Sequence, residues 1–133
     1  MREFKLQIVT PDGLVFDGAA ESVMVRTASG DIEIMAGHED YFASLGTGRA
    51  RLKAGGLARD ASASGGFISV LRGEVKLALT TFEFADEIDL VRAESARARA
   101  EEQIKNASDD KALTLAKAKL ARAINRINVA KTR

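Results

Sequence analysis

Phe4, Leu6 and Ile8 alternate at the start of the chain with the polar Lys5 and Gln7 and then Val9. A period of two is the pattern of a half-buried strand, and Thr10-Pro11-Asp12-Gly13 supplies the turn that ends it. Val15-Phe16, Ser22–Thr27 and Ile32-Glu33-Ile34 read as further strands, with Gly30 between the last two. Gly48–Leu52, Phe67–Leu71 and Glu74–Leu79 continue the series. Short strands about 8–12 residues apart, punctuated by glycine, predict a β-sandwich or flattened barrel. After residue 85 the pattern changes to that of helices. One is expected from about Ile88 to Lys105 and another from about Lys111 to Val129. Leu113, Ala116, Leu120, Ile124 and Ile127 recur in the second at steps of three and four, an apolar stripe. The break at residues 106–110 offers Ser108 or Asp109 as N-cap, and Asp110 suits the positive end of the second helix. So short a connection predicts an antiparallel hairpin.

Composition sharpens this division. All 11 glycines lie between Gly13 and Gly73, the only proline is Pro11, and the six phenylalanines and one tyrosine lie between Phe4 and Phe84. The 48 positions from Asp86 to Arg133 hold none of these and 11 alanines. Alanine is the best helix former, whereas glycine and aromatics mark turns and sheet cores. The expected fold class is therefore α+β: an all-β sandwich over residues 1–85, then an α-helical hairpin over residues 86–133. The hairpin has few large apolar groups, chiefly Leu90, Val91 and Ile104 on its first helix, so its helices should pack weakly. A locally helical, loosely docked hairpin suits a moving part.

Charge divides at the same boundary, −2 over residues 1–85 and +3 over residues 86–133, giving the overall +1. A balance so near zero gives no general attraction to nucleic acid or acidic membranes. Cysteine is absent, which excludes disulfides, thiolate metal sites and a cysteine nucleophile, and one histidine removes most zinc sites. No run approaches the about 18 apolar residues of a membrane span, and the N-terminus opens directly into alternating residues without a signal-peptide core.

Catalytic residues are scarce. His38 stands beside Glu39 and Asp40, but without a nucleophile or second ligand it reads as a turn histidine with a local or interface hydrogen bond. Ser62, Ser64 and Ser69 have no base at a fixed spacing, and Ala61–Gly66 lacks the lysine and following helix of a phosphate loop. An acid–base pair of Glu39 and Asp40 fails because adjacent residues point apart. The arginines carry more. Arg92 and Arg99 differ by about 20° around a helix axis and about 10 Å along it. Arg122 and Arg126 are neighbours on one face of the second helix. In an antiparallel hairpin Asp89 and Arg92 come near Arg122 and Arg126, provided that those faces turn together. Such a group would bind a polyphosphate, with the acid accepting from a base amino group. The alternatives are a solvated surface with ion pairs such as Glu101–Lys105, or a nucleic-acid-binding or other protein-interaction module using the basic hairpin. For the nucleic-acid reading the +3 is small and stacking aromatics are missing.

Several segments together resemble one family. These are Val9-Thr10-Pro11-Asp12-Gly13, Gly30-Asp31-Ile32-Glu33-Ile34 with Gly37-His38, Ser64–Val70, and Ile88-Asp89-Leu90-Val91-Arg92-Ala93. In order and spacing the chain resembles the epsilon subunit of bacterial F-type ATP synthase over nearly its whole length. The resemblance implies a sandwich of about ten strands and a C-terminal helical hairpin in a non-catalytic rotor subunit. The sandwich would bind the gamma subunit and the c-ring, with Asp31 and His38 at that interface. The hairpin would inhibit ATP hydrolysis when extended into the head of alpha and beta subunits. No cofactor is required, and ATP is implied as a regulatory ligand that stabilises the folded hairpin. Its expected contacts are Ile88, Asp89, Arg92 and Ala93 of the signature, Glu83 on the adenine side, and Arg99, Arg122 and Arg126 toward the phosphates. The implied location is peripheral, on the cytoplasmic face of the bacterial membrane, which the chain touches only through the c-ring. Two prolines usual around Gly37-His38 are missing, and Glu39 and Asp40 are added.

Overall fold

The computed structural model describes residues 2–132. Met1, where the N-terminal reading began, and Arg133, the last residue of the expected hairpin, lie outside them. The chain divides between Phe84 and Ala85 into two compact units.

The first unit contains β1 (Phe4–Thr10), β2 (Gly13–Ala20), β3 (Ser22–Thr27), β4 (Gly30–Met35), β5 (Tyr41–Ser44), β6 (Gly48–Ala54), β7 (Leu57–Leu71) and β8 (Glu74–Phe84). Strand order is β2-β1-β8-β7-β6-β3-β4, with β5 on the free stretch of β7. The pairing is antiparallel except between β1 and β8. Eight strands make two layers because β7 and β8 each serve both. Residues 57–63 of β7 pair with β6, whereas residues 67–70 pair with β5. Counted once in each layer, the two long strands bring the number to the ten expected.

The corner of β7 lies at Gly65 and Gly66, which have φ of +69° and +101°. This left-handed region is open to glycine at little cost. A Cβ on Gly66 would run into the Ala78 carbonyl, so no other residue lets β8 approach so closely.

Between the layers Leu6, Ile8, Val23, Val25, Ile34, Ile68 and Leu77 are fully buried. The alternation at Phe4, Leu6 and Ile8 places all three inside, as period two requires. β5 narrows the turn expected around His38: the turn itself is Ala36-Gly37, residues 38–40 are irregular, and a strand begins at Tyr41. Its pattern was inverted for a reader of hydrophobicity, since Phe42 is 67% exposed while Ala43 faces inward.

The second unit begins with a 3₁₀ turn, Ala85–Glu87, followed by α1 (Leu90–Lys105) and α2 (Asp110–Ala130). α1 starts two residues later than its periodicity suggested because Asp89 is its N-cap. Asp109 caps α2, accepting the Ala112 N–H at 2.7 Å. Ala93 and Ala100 on α1, and Ala116, Ala123, Ile127 and Ala130 on α2, are the buried contact face. Ile88, Val129 and Ile127 supply the larger groups, clustered with Ala85, Ala93 and Ala130. The start of α1 thus meets the end of α2, as in an antiparallel hairpin. Seven-residue spacing of Ala93 and Ala100, and of Ala116, Ala123 and Ala130, makes this a seam of small side chains.

Candidate functional site

The seam fixes where the arginines point. Arg92 and Arg99 each precede a buried alanine of α1; Arg122 precedes buried Ala123, and Arg126 precedes buried Ile127. A residue one position before a buried one lies about 100° round the helix. In an antiparallel pair of right-handed helices these positions fall on the same flank. A groove of about 540 Å³ lies on this flank toward the turn of the hairpin, lined by Arg99 and Gln103 of α1, its C-cap Asn106, and Leu115 and Lys119 of α2; Arg92, Arg122 and Arg126 are not in its lining. Glu102 also lines it. The flank therefore carries five cations, Arg92, Arg99, Lys119, Arg122 and Arg126. Lys119 was missed in the sequence; its signal was its place one residue before Leu120 of the apolar stripe.

Within the signature, Ile88 and Ala93 are 2% and 0% exposed and belong to the hairpin's own core. Both pack at the start of α1. Asp89 accepts the Arg92 N–H with Oδ1 at 3.1 Å, while its carbonyl accepts the Ala93 N–H at 3.0 Å. Arg92 and Arg99 are exposed; Arg122 and Arg126 are half-buried. Glu83 stands on β8 opposite Ser62, in the other unit, and is half-buried. Arg97 and Glu101 of α1 form an ion pair at 3.3 Å, on the other side of the seam from the arginine flank.

Asp31 and His38 lie at opposite ends of β4. The strand between Asp31 and Met35 alone spans about 13 Å, so the two make no single cluster. Asp31 pairs across the β3–β4 hairpin with Arg26, Nε to Oδ1 at 2.6 Å and Nη2 to Oδ2 at 3.4 Å. That hydrogen bond is the main cause holding the Asp31 carboxyl below the usual range; burial opposes it, and the charges of Arg26 and Arg49 add smaller downward pulls. His38 makes the local hydrogen bond expected of it, Nδ1–H donating to the Glu39 carbonyl at 2.8 Å, and its ring meets Tyr41 edge-on at 5.8 Å. The added Asp40 has a structural partner: Oδ1 accepts the Arg72 N–H at 2.9 Å, steadying the left-handed Arg72 (φ 52°) in the β7–β8 turn.

Residues 3–85 match the family of the ATP synthase delta/epsilon chain beta-sandwich domain, and residues 86–131 match that of the delta/epsilon chain long alpha-helix domain. The chain belongs to the ATP synthase delta/epsilon family. Within it, the chain is 39% identical to the ATP synthase epsilon chain of Ruminococcus albus over 131 residues, covering 98% of each. The epsilon chains of Bacillus velezensis and Bacillus subtilis are 42% and 43% identical over 130 residues, again with 98% of each chain covered. The fold is also found in the mitochondrial ATP synthase of Euglena gracilis. There the match has a TM-score of 0.79 at 22% identity and covers 98% of this chain and 82% of that one. Among the described residues no helix is long and apolar enough to cross a membrane.

Proposed function

We propose that this delta/epsilon-family chain is a non-catalytic rotor subunit in the central stalk of a bacterial F-type ATP synthase. Its sandwich binds the gamma subunit and the c-ring and passes ring rotation to the catalytic head. Its hairpin is the regulatory part: extended into the head of alpha and beta subunits it blocks ATP hydrolysis, and closed it releases the block. The subunit sits on the cytoplasmic face of the cell membrane, held there through the c-ring. ATP is the regulatory ligand, bound by the closed hairpin with its phosphates along Arg92, Arg99, Arg122 and Arg126.

One observation carries the regulatory reading: the four arginines share a flank that exists only while the alanine seam is closed. Opening the seam parts Arg92 and Arg99 from Arg122 and Arg126. A polyphosphate spanning both helices therefore binds the closed form more tightly, and that difference is what shifts the equilibrium. A seam of alanines keeps the gap between forms small enough for one ligand to tip.

Calorimetric titration of the full chain with ATP tests this reading. Saturable 1:1 binding, weakened at least tenfold in Arg92→Ala and in Arg126→Ala, is expected. Absence of heat and of any melting shift at millimolar ATP would remove nucleotide control and leave the stalk role to be tested by co-purification with gamma.

A further inference from the structure

We infer that Asp89 is a positioning residue of the nucleotide site, acting through Arg92 by capping the helix that carries it rather than by touching the ligand. The inference rests on the nucleotide-binding reading above. Ile88-Asp89-Leu90-Val91-Arg92-Ala93 is, in the structure, a complete device for starting a helix. Asp89 is the N-cap, and one carboxylate oxygen is committed to the backbone N–H of Arg92. Ile88 precedes the cap, Ala93 is the fourth helical residue, and both lie in one buried cluster. That is the arrangement of a hydrophobic staple, which fixes the angle at which the chain enters the helix.

The third helical residue breaks the pattern. A capping box places Glu or Gln there, reaching back to the cap's own N–H. Here it is Arg92, a cation at the positive end of the helix dipole, and α1 has no acid in its first turn. Cap and staple therefore secure a side chain that the helix start itself disfavours. They secure it at the azimuth shared with Arg99, Arg122 and Arg126. A local preference overridden while everything around it is optimised points to a functional demand on that one position. The first turn of a helix is also where fraying concentrates, so without the cap Arg92 would spend part of its time off the flank.

The test compares ATP affinity of the full chain with Asp89→Asn, Asp89→Ser and Asp89→Ala, alongside amide exchange at the Arg92 N–H. Asn and Ser are as good at the cap as Asp but carry no charge. Both should bind ATP within about twofold of the native chain, whereas Ala should bind about fivefold more weakly, matching the ~1 kcal/mol that a cap contributes. Exchange at Arg92 should quicken in Ala and not in Asn. Asn as weak as Ala would overturn the inference, because the carboxylate itself would then be the contact. So would native affinity in Ala despite quickened exchange, since the cap would then have no bearing on the site. A native chain that binds no ATP would bring down the nucleotide reading and this inference with it, an outcome distinct from both.

Discussion

Gly66 has φ +101°, and the place of its missing Cβ is filled by the Ala78 carbonyl. Gly66→Ala combines a backbone strain with a clash against main chain, so it should cost at least about 2 kcal/mol. Denaturant titration should show the midpoint falling at unchanged slope. Asp31 offers a different kind of test. Its folded pKa is depressed by Arg26, so the pair's stabilisation is present above the unfolded value of about 3.9 and disappears as pH falls through the lower folded value. Asp31→Asn should therefore lower the melting temperature at pH 7 and flatten its fall below about pH 4, where the native chain loses the pair too; both side chains are exposed, so the effect is small. At this scale the sequence was readable where one residue does one thing, as with the Asp109 cap or the local hydrogen bond of His38. It was opaque where a side chain serves a distant turn, as Asp40 does for Arg72, because spacing carries no record of a contact 32 residues away.

The elements were legible in proportion to the regularity of their burial. β3 was read end to end, and its burial alternates. β5 escaped because Phe42 stacks on Phe67 at 5.3 Å on the outer surface while a small alanine fills the inner position. The double duty of β7 and β8 was hidden because only pairing shows a strand changing layers. In the hairpin the alanine seam decides the mechanics. Ala123→Leu at this narrow contact would force the helices apart, at a cost of about 1–3 kcal/mol to the closed form. Far-UV circular dichroism should show a lower melting temperature for the helical signal, and ATP affinity should fall with it. Spacing singled out Arg92, Arg99, Arg122 and Arg126 but left a solvated surface as the alternative, and only the buried residues put the four on one flank. Ile88 and Ala93, which the signature singles out as ligand contacts, are buried in the hairpin cluster.

Over the whole molecule the charge separation has a direction as well as a sum. Lys117 follows buried Ala116 and so lies across the seam from Arg122 and Arg126, which precede buried residues. These three cations of α2 therefore do not act together. Arg122→Ala with Arg126→Ala should weaken ATP binding at least tenfold, while Lys117→Ala should leave it within about twofold; calorimetry on the full chain separates the two flanks. Tyr41, the only tyrosine in a chain without tryptophan, reports the strand unit alone. Its fluorescence and the helical circular dichroism should follow different curves in urea, since the two units have separate cores.

The smallness of the seam also sets how each unit responds to temperature. Heat capacity rises on unfolding in proportion to the apolar surface exposed. The strand unit, with its layers of leucine, isoleucine and valine, has a strongly curved stability that peaks and then declines on cooling. Parting two helices whose contact is mostly alanine, with Ile88, Ile127 and Val129 at one end, exposes less such surface, so the van't Hoff line for the hairpin's opening curves less. The closed fraction of the hairpin should therefore vary with temperature more evenly than the stability of the sandwich, without so marked an optimum of its own.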